Sequence, residues 1–264
     1  MATAPPPPVI RMQGITTRFG AHVVHKDLEL EVLEGEVLCL VGGSGTGKTT
    51  LLREMLGLDR PTAGRIEVMG VEVSHLGAEE IRALRRHSGV LFQRGALFSA
   101  LTVAENIALP LRELRAFDEE LIRESMLLRL RMVGLEAADA AKMPAELSGG
   151  MVKRAALARA LALEPRIVFL DEPTAGLDPE SSETFVQLIR DLHRELRLTV
   201  VMVTHDLDTL VALADRVAVL ADRRVIAAGP IREVIAVKHP FVQGYFLNGR
   251  GKRALTALVP RPAR

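Results

Sequence analysis

The sequence has few aromatic residues and almost no net charge. Only 3% of its 264 residues are aromatic, with no Trp and one Tyr, and 34 basic residues are balanced by 33 acidic ones. A protein that binds nucleic acid usually presents a basic surface or aromatic side chains on which bases stack, so we expect no nucleic-acid partner. Apolar residues make up 48% of the chain, which is typical of a globular protein with a sizeable core.

The chain also lacks a pair of cysteines and a long hydrophobic run. Cys39 is its one cysteine and lies in the apolar run Val37 to Val41, so an internal disulfide is impossible. Core packing in a reducing compartment is the expected role of this thiol. Apolar runs are far shorter than the roughly 20 residues that span a bilayer, and the N-terminus does not read as a signal peptide. We therefore expect a soluble protein that acts at a membrane only through a partner.

The order of predicted strands and helices indicates an α/β fold. A Pro-rich segment over residues 1–8, expected to be flexible, precedes a strand-like region at 9–33. Short apolar strands then alternate with helices, as in parallel βαβ units. Residues 100–160 interrupt this alternation and are interpreted as an inserted helical subdomain, and residues 248–264 as a basic tail. Strands are predicted at 37–41, 64–69, 89–92, 167–170 and 199–203, and the alanine-rich helix that follows residues 148–150 is expected to reach about residue 163.

A glycine-rich loop follows the first buried strand and matches the pattern G-x-x-x-x-G-K-[ST]. Glycines let successive backbone N–H groups turn towards phosphate oxygens, and the following helix adds its positive end. Lys48 is expected to reach the β and γ phosphates of ATP, and Thr49 to ligate Mg²⁺. A glycine-rich turn with a chance lysine is the alternative, which the full match disfavours. The predicted ATP-binding residues of this loop are Gly42, Gly43, Ser44, Gly45, Thr46, Gly47, Lys48, Thr49 and Thr50.

Two carboxylates end another apolar strand. Asp171 and Glu172 follow the run at 167–170, and open α/β sheets bind ligands at the carboxyl ends of their strands. Because Mg²⁺ prefers oxygen ligands, Asp171 is expected to hold it, directly or through water. Glu172 is then suited to polarise an attacking water. A solvated acidic strand end is the alternative, but the phosphate-binding loop elsewhere in the chain favours the catalytic interpretation.

Four further motifs make the chain resemble the ATP-binding subunits of ABC transporters. Their order and spacing, more than any one of them, carry the resemblance, which covers residues 9–247. It implies a P-loop NTPase of ABC-ATPase type, in which a mostly parallel sheet core carries an antiparallel β subdomain and an inserted helical subdomain. The motifs are Gln93 after the strand at 89–92, LSGGM at 147–151, which matches the family signature and is called the signature below, AGLDP at 175–179, and His205 after the strand at 199–203.

The resemblance implies a role for each motif. Gln93 would sense Mg²⁺ and the attacking water, and His205 would hydrogen-bond the γ-phosphate and hold Glu172 in register. The helix that begins at the signature would close over the nucleotide bound by a second copy of the chain, so a homodimer is implied. The signature residues that provide this second anion site are Ser148, Gly149 and Gly150.

Phe19 matches the position of the aromatic side chain that stacks on adenine in the family, with an ordinary core position as the alternative. The implied catalytic residues are thus Glu172, His205 and Gln93, and the implied magnesium ligands are Thr49, Gln93 and Asp171.

A subset of the family shares more of this sequence. Met151 stands where most members carry Gln, so one polar side chain at the neighbouring site is missing. The segments at 91–98 and 239–246 resemble the Mla-type phospholipid-transport ATPases of Gram-negative envelopes. This resemblance implies a transmembrane permease, a lipid-binding periplasmic component, and a peripheral position on the cytoplasmic face of the inner membrane. In the family, residues 94–110 line a groove that receives a helix of the membrane subunit, with packing inside the helical subdomain as the alternative.

The predicted function is therefore ATP hydrolysis that powers phospholipid transport. The alternative is an ABC ATPase that transports nothing and acts as a mechanical or signalling partner, as in cell-division complexes.

Overall fold

The computed structural model describes residues 7–73 and 76–248. Most of the predicted N-terminal segment at 1–8 and of the basic tail at 248–264 lies outside the described residues. The chain divides into two compact units, one formed by residues 1–81 and 201–264 and the other by residues 82–200.

The strands and helices alternate along the chain much as the sequence predicts. The strands are β1 Pro8–Phe19, β2 His22–Leu33, β3 Val37–Gly42, β4 Ala63–Val68, β5 Val71–Glu72, β6 Ser88–Leu91, β7 Ile167–Asp171, β8 Thr199–Val203, β9 Arg216–Ala221 and β10 Arg224–Gly229. The helices are α1 Lys48–Met55, α2 Ala78–Arg85, α3 Val103–Leu114, α4 Glu119–Met132, α5 Gly149–Ala160, α6 Pro179–Leu196, α7 Leu207–Leu213, α8 Ile231–Val234 and α9 Pro240–Phe246.

An antiparallel sheet in the order β2-β1-β4-β5 belongs to the first unit. Its long strands alternate buried and exposed side chains: Leu28, Leu30 and Val32 of β2 are buried, and the residues between them are exposed. This period of two is what a strand covered on one face requires. The sheet is the antiparallel β subdomain that the family resemblance implies.

The first unit also contains the strand that leads into the glycine-rich loop. β3 pairs in parallel with β9, and β9 pairs antiparallel with β10. Residues Val37–Val41 are all buried, and Cys39 is a buried free cysteine as predicted. Because β3 is buried along its length, the loop that follows it starts from a fixed end.

The second unit pairs β6 and β7 in parallel and contains α3, α4, α5 and α6. α3 begins with a capping box in which Thr102 and Glu105 satisfy each other's backbone N–H groups. Asp178 caps α6 by accepting a hydrogen bond from the backbone N–H of Ser181. Between residues 100 and 160 every regular element is helical, including short 3-10 helices at Ala137–Ala141 and Pro144–Glu146.

The observed bounds differ from the predicted ones at a few ends. α5 ends at Ala160 rather than at residue 163, with Leu161 as its C-cap. α9 was not predicted, although Pro240 at its first position and the cap at His239 are typical of a helix start. Among the described residues, no helix combines the length and the apolar character needed to cross a membrane.

Candidate active site

The glycine-rich loop joins the buried strand β3 to α1. Gly47 caps α1 with φ 89°, a conformation that a side chain disfavours. A Cβ atom at Gly42 would lie 2.6 Å from the carbonyl oxygen of Leu220, so this position has no room for a side chain either. These two glycines allow the tight turn that brings the loop round to the N-terminus of α1, where the N–H groups of the first helical turn favour an anion.

Lys48 closes the loop on itself. Its Nζ donates hydrogen bonds of 2.8 Å to the carbonyl oxygens of both Gly42 and Gly43. The hydroxyl of Thr46 also donates to the carbonyl of Gly43, at 2.9 Å. The ammonium is therefore held at the loop, and the predicted metal ligand Thr49, one residue further, is exposed.

Three buried polar side chains lie next to the loop. Thr17 Oγ1 donates to Glu54 Oε1 at 2.6 Å and lies 3.3 Å from His25 Nδ1. The Nε2 atom of His25 faces Gly47, since a Cβ atom there would lie 2.4 Å from it. Burial lowers the pKa of His25, against the effect of the backbone carbonyls of Thr46 and Gly47. Burial raises the pKa of Glu54 to about 7.

Phe19 and His205, also in the first unit, are both exposed. Phe19 ends β1 with 57% of its surface accessible, so the alternative of an ordinary core position is wrong. His205 follows β8 in the short turn before α7. Asp206 caps that helix by accepting from the backbone N–H of Thr209, which fixes the turn that carries His205.

The second unit brings Gln93, Asp171 and Glu172 to one sheet edge. Leu91 of β6 pairs with Leu170 of β7 in parallel register, so the residues that follow both strands emerge at the same end. Asp171 and Glu172 are half-buried, and Gln93 is exposed. Glu172 has φ 48°, in the left-handed region that residues other than glycine rarely adopt.

Lys153 is a residue of this edge that the sequence reasoning missed. Its Nζ donates to the carbonyl oxygen of Gln93 at 2.5 Å and to that of Glu172 at 3.1 Å. The side chain is buried, and burial lowers the pKa of the amine while Asp171 and Glu172 act to raise it. The only signal in the sequence was a lysine in a helix that is otherwise rich in alanine.

The signature forms the start of α5. Ser148 is the N-cap, and its hydroxyl accepts from the backbone N–H of Met151 at 3.3 Å. Ser148 and Gly149 are exposed, and Gly150 is half-buried. An accessible helix N-terminus is the kind of site at which anions bind, and the anion-binding role of these residues stays a prediction.

The predicted site residues thus fall into two groups. Phe19, His205 and the loop residues 42–50 lie in the first unit, whereas Gln93, the signature at 148–150 and the pair Asp171–Glu172 lie in the second.

Comparison with known proteins defines the family. The model of a family described as "ABC transporter" matches residues 25–175. The chain therefore belongs to the ABC transporter family and is an ATP-binding subunit of that family. It is an ATPase with the fold that the resemblance implied.

The individual sequence relatives differ in what their names say they transport. The chain is 40% identical to the intermembrane phospholipid transport system ATP-binding protein MlaF of Haemophilus influenzae, over 86% of each chain. It is also 40% identical to the probable ribonucleotide transport ATP-binding protein mkl of Mycobacterium leprae, over 91% of this chain and 69% of that one. The dimeric ATP-binding cassette MJ0796, solved in a post-hydrolysis state with ADP and Pi, matches with a TM-score of 0.77 at 34% identity. That match covers 84% of this chain and 98% of the other.

Proposed function

We propose that this chain hydrolyses ATP to power phospholipid transport across the cell envelope through a partner permease. The observation that carries the choice of cargo is the 40% identity to MlaF over 86% of both chains, since that relative is named for phospholipid transport. The mkl relative, of equal identity, is named for ribonucleotide transport, so the cargo needs its own experiment.

The proposed chemistry assigns the site residues to three tasks. The loop at 42–50 and the side chain of Phe19 bind ATP. Glu172 polarises the attacking water, and Gln93 and His205 help to place it. Because Lys48 is already held at the loop by two carbonyls, its charge needs little rearrangement to meet a phosphate.

Thr49, Asp171 and Gln93 are the proposed ligands of Mg²⁺. All three offer oxygen atoms, which is the donor type that Mg²⁺ prefers, and Thr49 is exposed at the start of α1. When bound, the ion would neutralise charge on the phosphate oxygens.

The proposed functional unit is a homodimer in which the signature at 148–150 of one copy closes over the ATP of the other. Two observations support it. Ser148 and Gly149 are exposed at the N-terminus of α5, and the matching cassette MJ0796 is dimeric with ADP and Pi bound. Isologous pairing of this kind gives two equivalent composite sites.

A groove in the second unit supports docking of a permease helix. It has a volume of about 550 Å³, and Phe98 at its edge is 53% exposed. Asn106 fixes the segment that presents Phe98, since its side chain exchanges hydrogen bonds with both the N–H and the C=O of that residue. Docking of an amphipathic helix in a hydrophobic groove is a recurrent mode of recognition. Charged side chains of Arg85, Glu113 and Arg159 also line this groove. Its larger apolar lining residues are Val90, Phe92, Phe98, Leu109, Pro110 and Leu163.

Binding to such a permease would hold the ATPase at the cytoplasmic face of the inner membrane, with a lipid-binding component on the periplasmic side. Among the residues that the structure describes, no helix is suited to crossing a membrane.

The cargo is tested by isolating the tagged chain with its bound partners from detergent-solubilised membranes and reconstituting the complex in phospholipid vesicles. We expect ATP-dependent movement of labelled phospholipid, which Glu172→Gln abolishes. Movement of ribonucleotide and not of phospholipid would overturn the proposed cargo while leaving the ATPase assignment intact.

Docking is tested by Phe98→Asp, which places a charge at the edge of the groove. We expect loss of the co-purified permease with the ATPase of the isolated chain retained. Leu128→Asp is the matched control, because Leu128 is equally exposed, at 51%, on α4 and does not line the groove.

A further inference from the structure

Lys153 connects the start of α5 to the sheet edge that carries Gln93 and Glu172. It lies about one turn into the helix that begins at Ser148, and only 4% of the residue is exposed. Its two hydrogen bonds both end on backbone carbonyls, those of Gln93 and Glu172. Burying an ammonium group is costly unless it is well paired, so these carbonyls are strong determinants of its position.

The bond to Glu172 acts on an unusual piece of backbone. Glu172 adopts φ 48°, which costs a residue with a side chain free energy unless its surroundings hold it there. Its carbonyl oxygen accepts from Lys153 and also from the backbone N–H of Ala175 at 3.2 Å. Because the backbone torsions orient the Cα–Cβ bond relative to the neighbouring peptides, holding this carbonyl constrains the point from which the carboxylate extends.

The other cations of α5 with described hydrogen bonds act elsewhere. Arg154 donates to the carbonyl of Val133 at 2.6 Å, at the end of α4. Arg159 donates to the carbonyls of Gly95 and Ala96. All three side chains brace the helix against backbone carbonyls, but only Lys153 does so through the two residues proposed to place the attacking water.

We propose that Lys153 is a positioning residue for ATP hydrolysis, which fixes Gln93 and Glu172 relative to each other and to the helix that begins at the signature. The inference rests on the proposed roles of Gln93 and Glu172. A displacement of α5 when the signature closes on the partner's nucleotide would then move both carbonyls together. Lys153 is assigned this positioning role, and not a catalytic one, because both of its described hydrogen bonds end on backbone carbonyls.

The test is steady-state ATPase kinetics of Lys153→Met, which keeps an unbranched side chain only one atom shorter and removes the charge and the donors. We expect kcat to fall roughly 10- to 100-fold, because misplacing a reacting group by about 1 Å costs up to this much. The KM for ATP should stay within about threefold of wild type, since the loss concerns the transition state and not uniform binding. Arg154→Met is the matched control and should retain the wild-type kcat.

A double-mutant cycle with Gln93→Ala tests whether Lys153 acts by placing the side chain of Gln93. Gln93→Ala keeps the backbone carbonyl that Lys153 holds and removes the side chain that this bond is proposed to place. If Lys153 acts in this way, its loss should cost less in the Gln93→Ala background than in wild type, because residues in one network are not additive. A merely structural brace would instead give independent losses and a lower melting temperature. If Lys153→Met unfolds below the assay temperature, Lys153→Gln takes its place, since its amide keeps a donor but is too short to reach both carbonyls.

Wild-type kcat in the folded Lys153 variant, or an equal loss in Arg154→Met, would overturn the inference. Glu172→Gln separates this failure from failure of the proposed site. If Glu172→Gln is inactive while the Lys153 variant is normal, only the role of Lys153 is wrong. If Glu172→Gln hydrolyses ATP at the wild-type rate, the role proposed for Glu172 is wrong, and the inference with it.

Discussion

The hydroxyl group of Thr17 donates a 2.6 Å hydrogen bond to the carboxyl group of Glu54 inside the first unit, where both residues are buried. The carboxyl's second oxygen has no hydrogen-bond partner among the described residues and lies 3.8 Å from His25 Nδ1. Burial raises the pKa of Glu54 from 4.5 to about 7, and the negative charge of Asp59 adds to this against the effect of Thr17. A carboxyl group next to the phosphate-binding loop therefore keeps its proton in the folded protein up to near-neutral pH.

This pKa predicts how stability depends on pH. The unfolded chain releases the Glu54 proton above about pH 4.5, and the folded protein only above about pH 7, so Glu54 makes stability fall between these values. Glu54→Gln removes this fall. One pKa unit corresponds to about 1.4 kcal/mol, so the variant should gain on the order of 2 kcal/mol relative to wild type between pH 5 and pH 8.

The measurement is denaturant unfolding of both proteins over that range. His25, whose pKa is lowered by burial, has the opposite effect, since the unfolded chain takes up its proton first as the pH falls. The difference in free energy of unfolding between wild type and variant therefore reports on Glu54 better than the pH dependence of either protein alone. Glu119→Gln is the control, because Arg112 lowers the pKa of Glu119 and keeps it ionised throughout. If the difference in free energy of unfolding between wild type and Glu54→Gln stayed constant from pH 5 to pH 8, the prediction would be contradicted.

Lys48→Ala should abolish ATP hydrolysis. The substitution removes the ammonium held at the loop by the carbonyls of Gly42 and Gly43, and with it the proposed contact to the β and γ phosphates. Phosphate release measures the loss of hydrolysis, and binding of a fluorescent ATP analogue measures the loss of the contact to the phosphates. Lys142→Ala is the control, since Lys142 pairs with Asp139 in the helical region. Full turnover by Lys48→Ala would show that the site has been wrongly assigned.

Glu172→Gln should slow hydrolysis by roughly 10²- to 10⁴-fold, the usual contribution of a positioned general base. The amide is nearly the same size, so ATP binding should persist. Because ATP is then bound and not consumed, the variant should accumulate as an ATP-bound dimer, which light scattering after size-exclusion chromatography detects. A variant that binds ATP and stays strictly monomeric would count against the composite site.

Local patterns in the sequence were enough to predict the strand–loop–helix around Lys48 and the acidic end of β7. In both places a buried strand, a turn and a characteristic side chain follow one another within about ten residues, so no long-range contact had to be known. The α/β class followed from the alternation of strands and helices, and the ABC-ATPase type from the family resemblance. The match to solved cassettes confirms both.

Contacts between residues far apart in sequence were not predictable in this way. Lys153 meets Gln93 across 60 residues, and Thr17 meets Glu54 across 37. Nothing in the pattern of α5 separates Lys153 from Arg154, yet one side chain is buried against the sheet edge and the other reaches the end of α4. The exposure of Phe19 was not predictable either, because the sequence allowed both a core and an exposed position.

Ser148→Arg tests whether the signature serves the nucleotide of a second chain. Ser148 is exposed at the N-terminus of α5, so the larger, cationic side chain has room, and loss of the N-cap hydrogen bond to Met151 should cost only about 1 kcal/mol of stability. In the proposed dimer it would stand where the partner's phosphates are received. We expect hydrolysis to be lost, while ATP still binds the isolated chain through its own intact loop.

Mixing this variant with Lys48→Ala gives a sharper result than either alone. A mixed dimer holds one site with an intact Lys48 from one chain and an intact Ser148 from the other, and one site with both defects. If each ATP lies between two chains, two inactive proteins should regain hydrolysis on mixing, to an extent that depends on the fraction of mixed dimers. If instead each chain completes its own site, every chain carries a defect, and the mixture stays as inactive as its components.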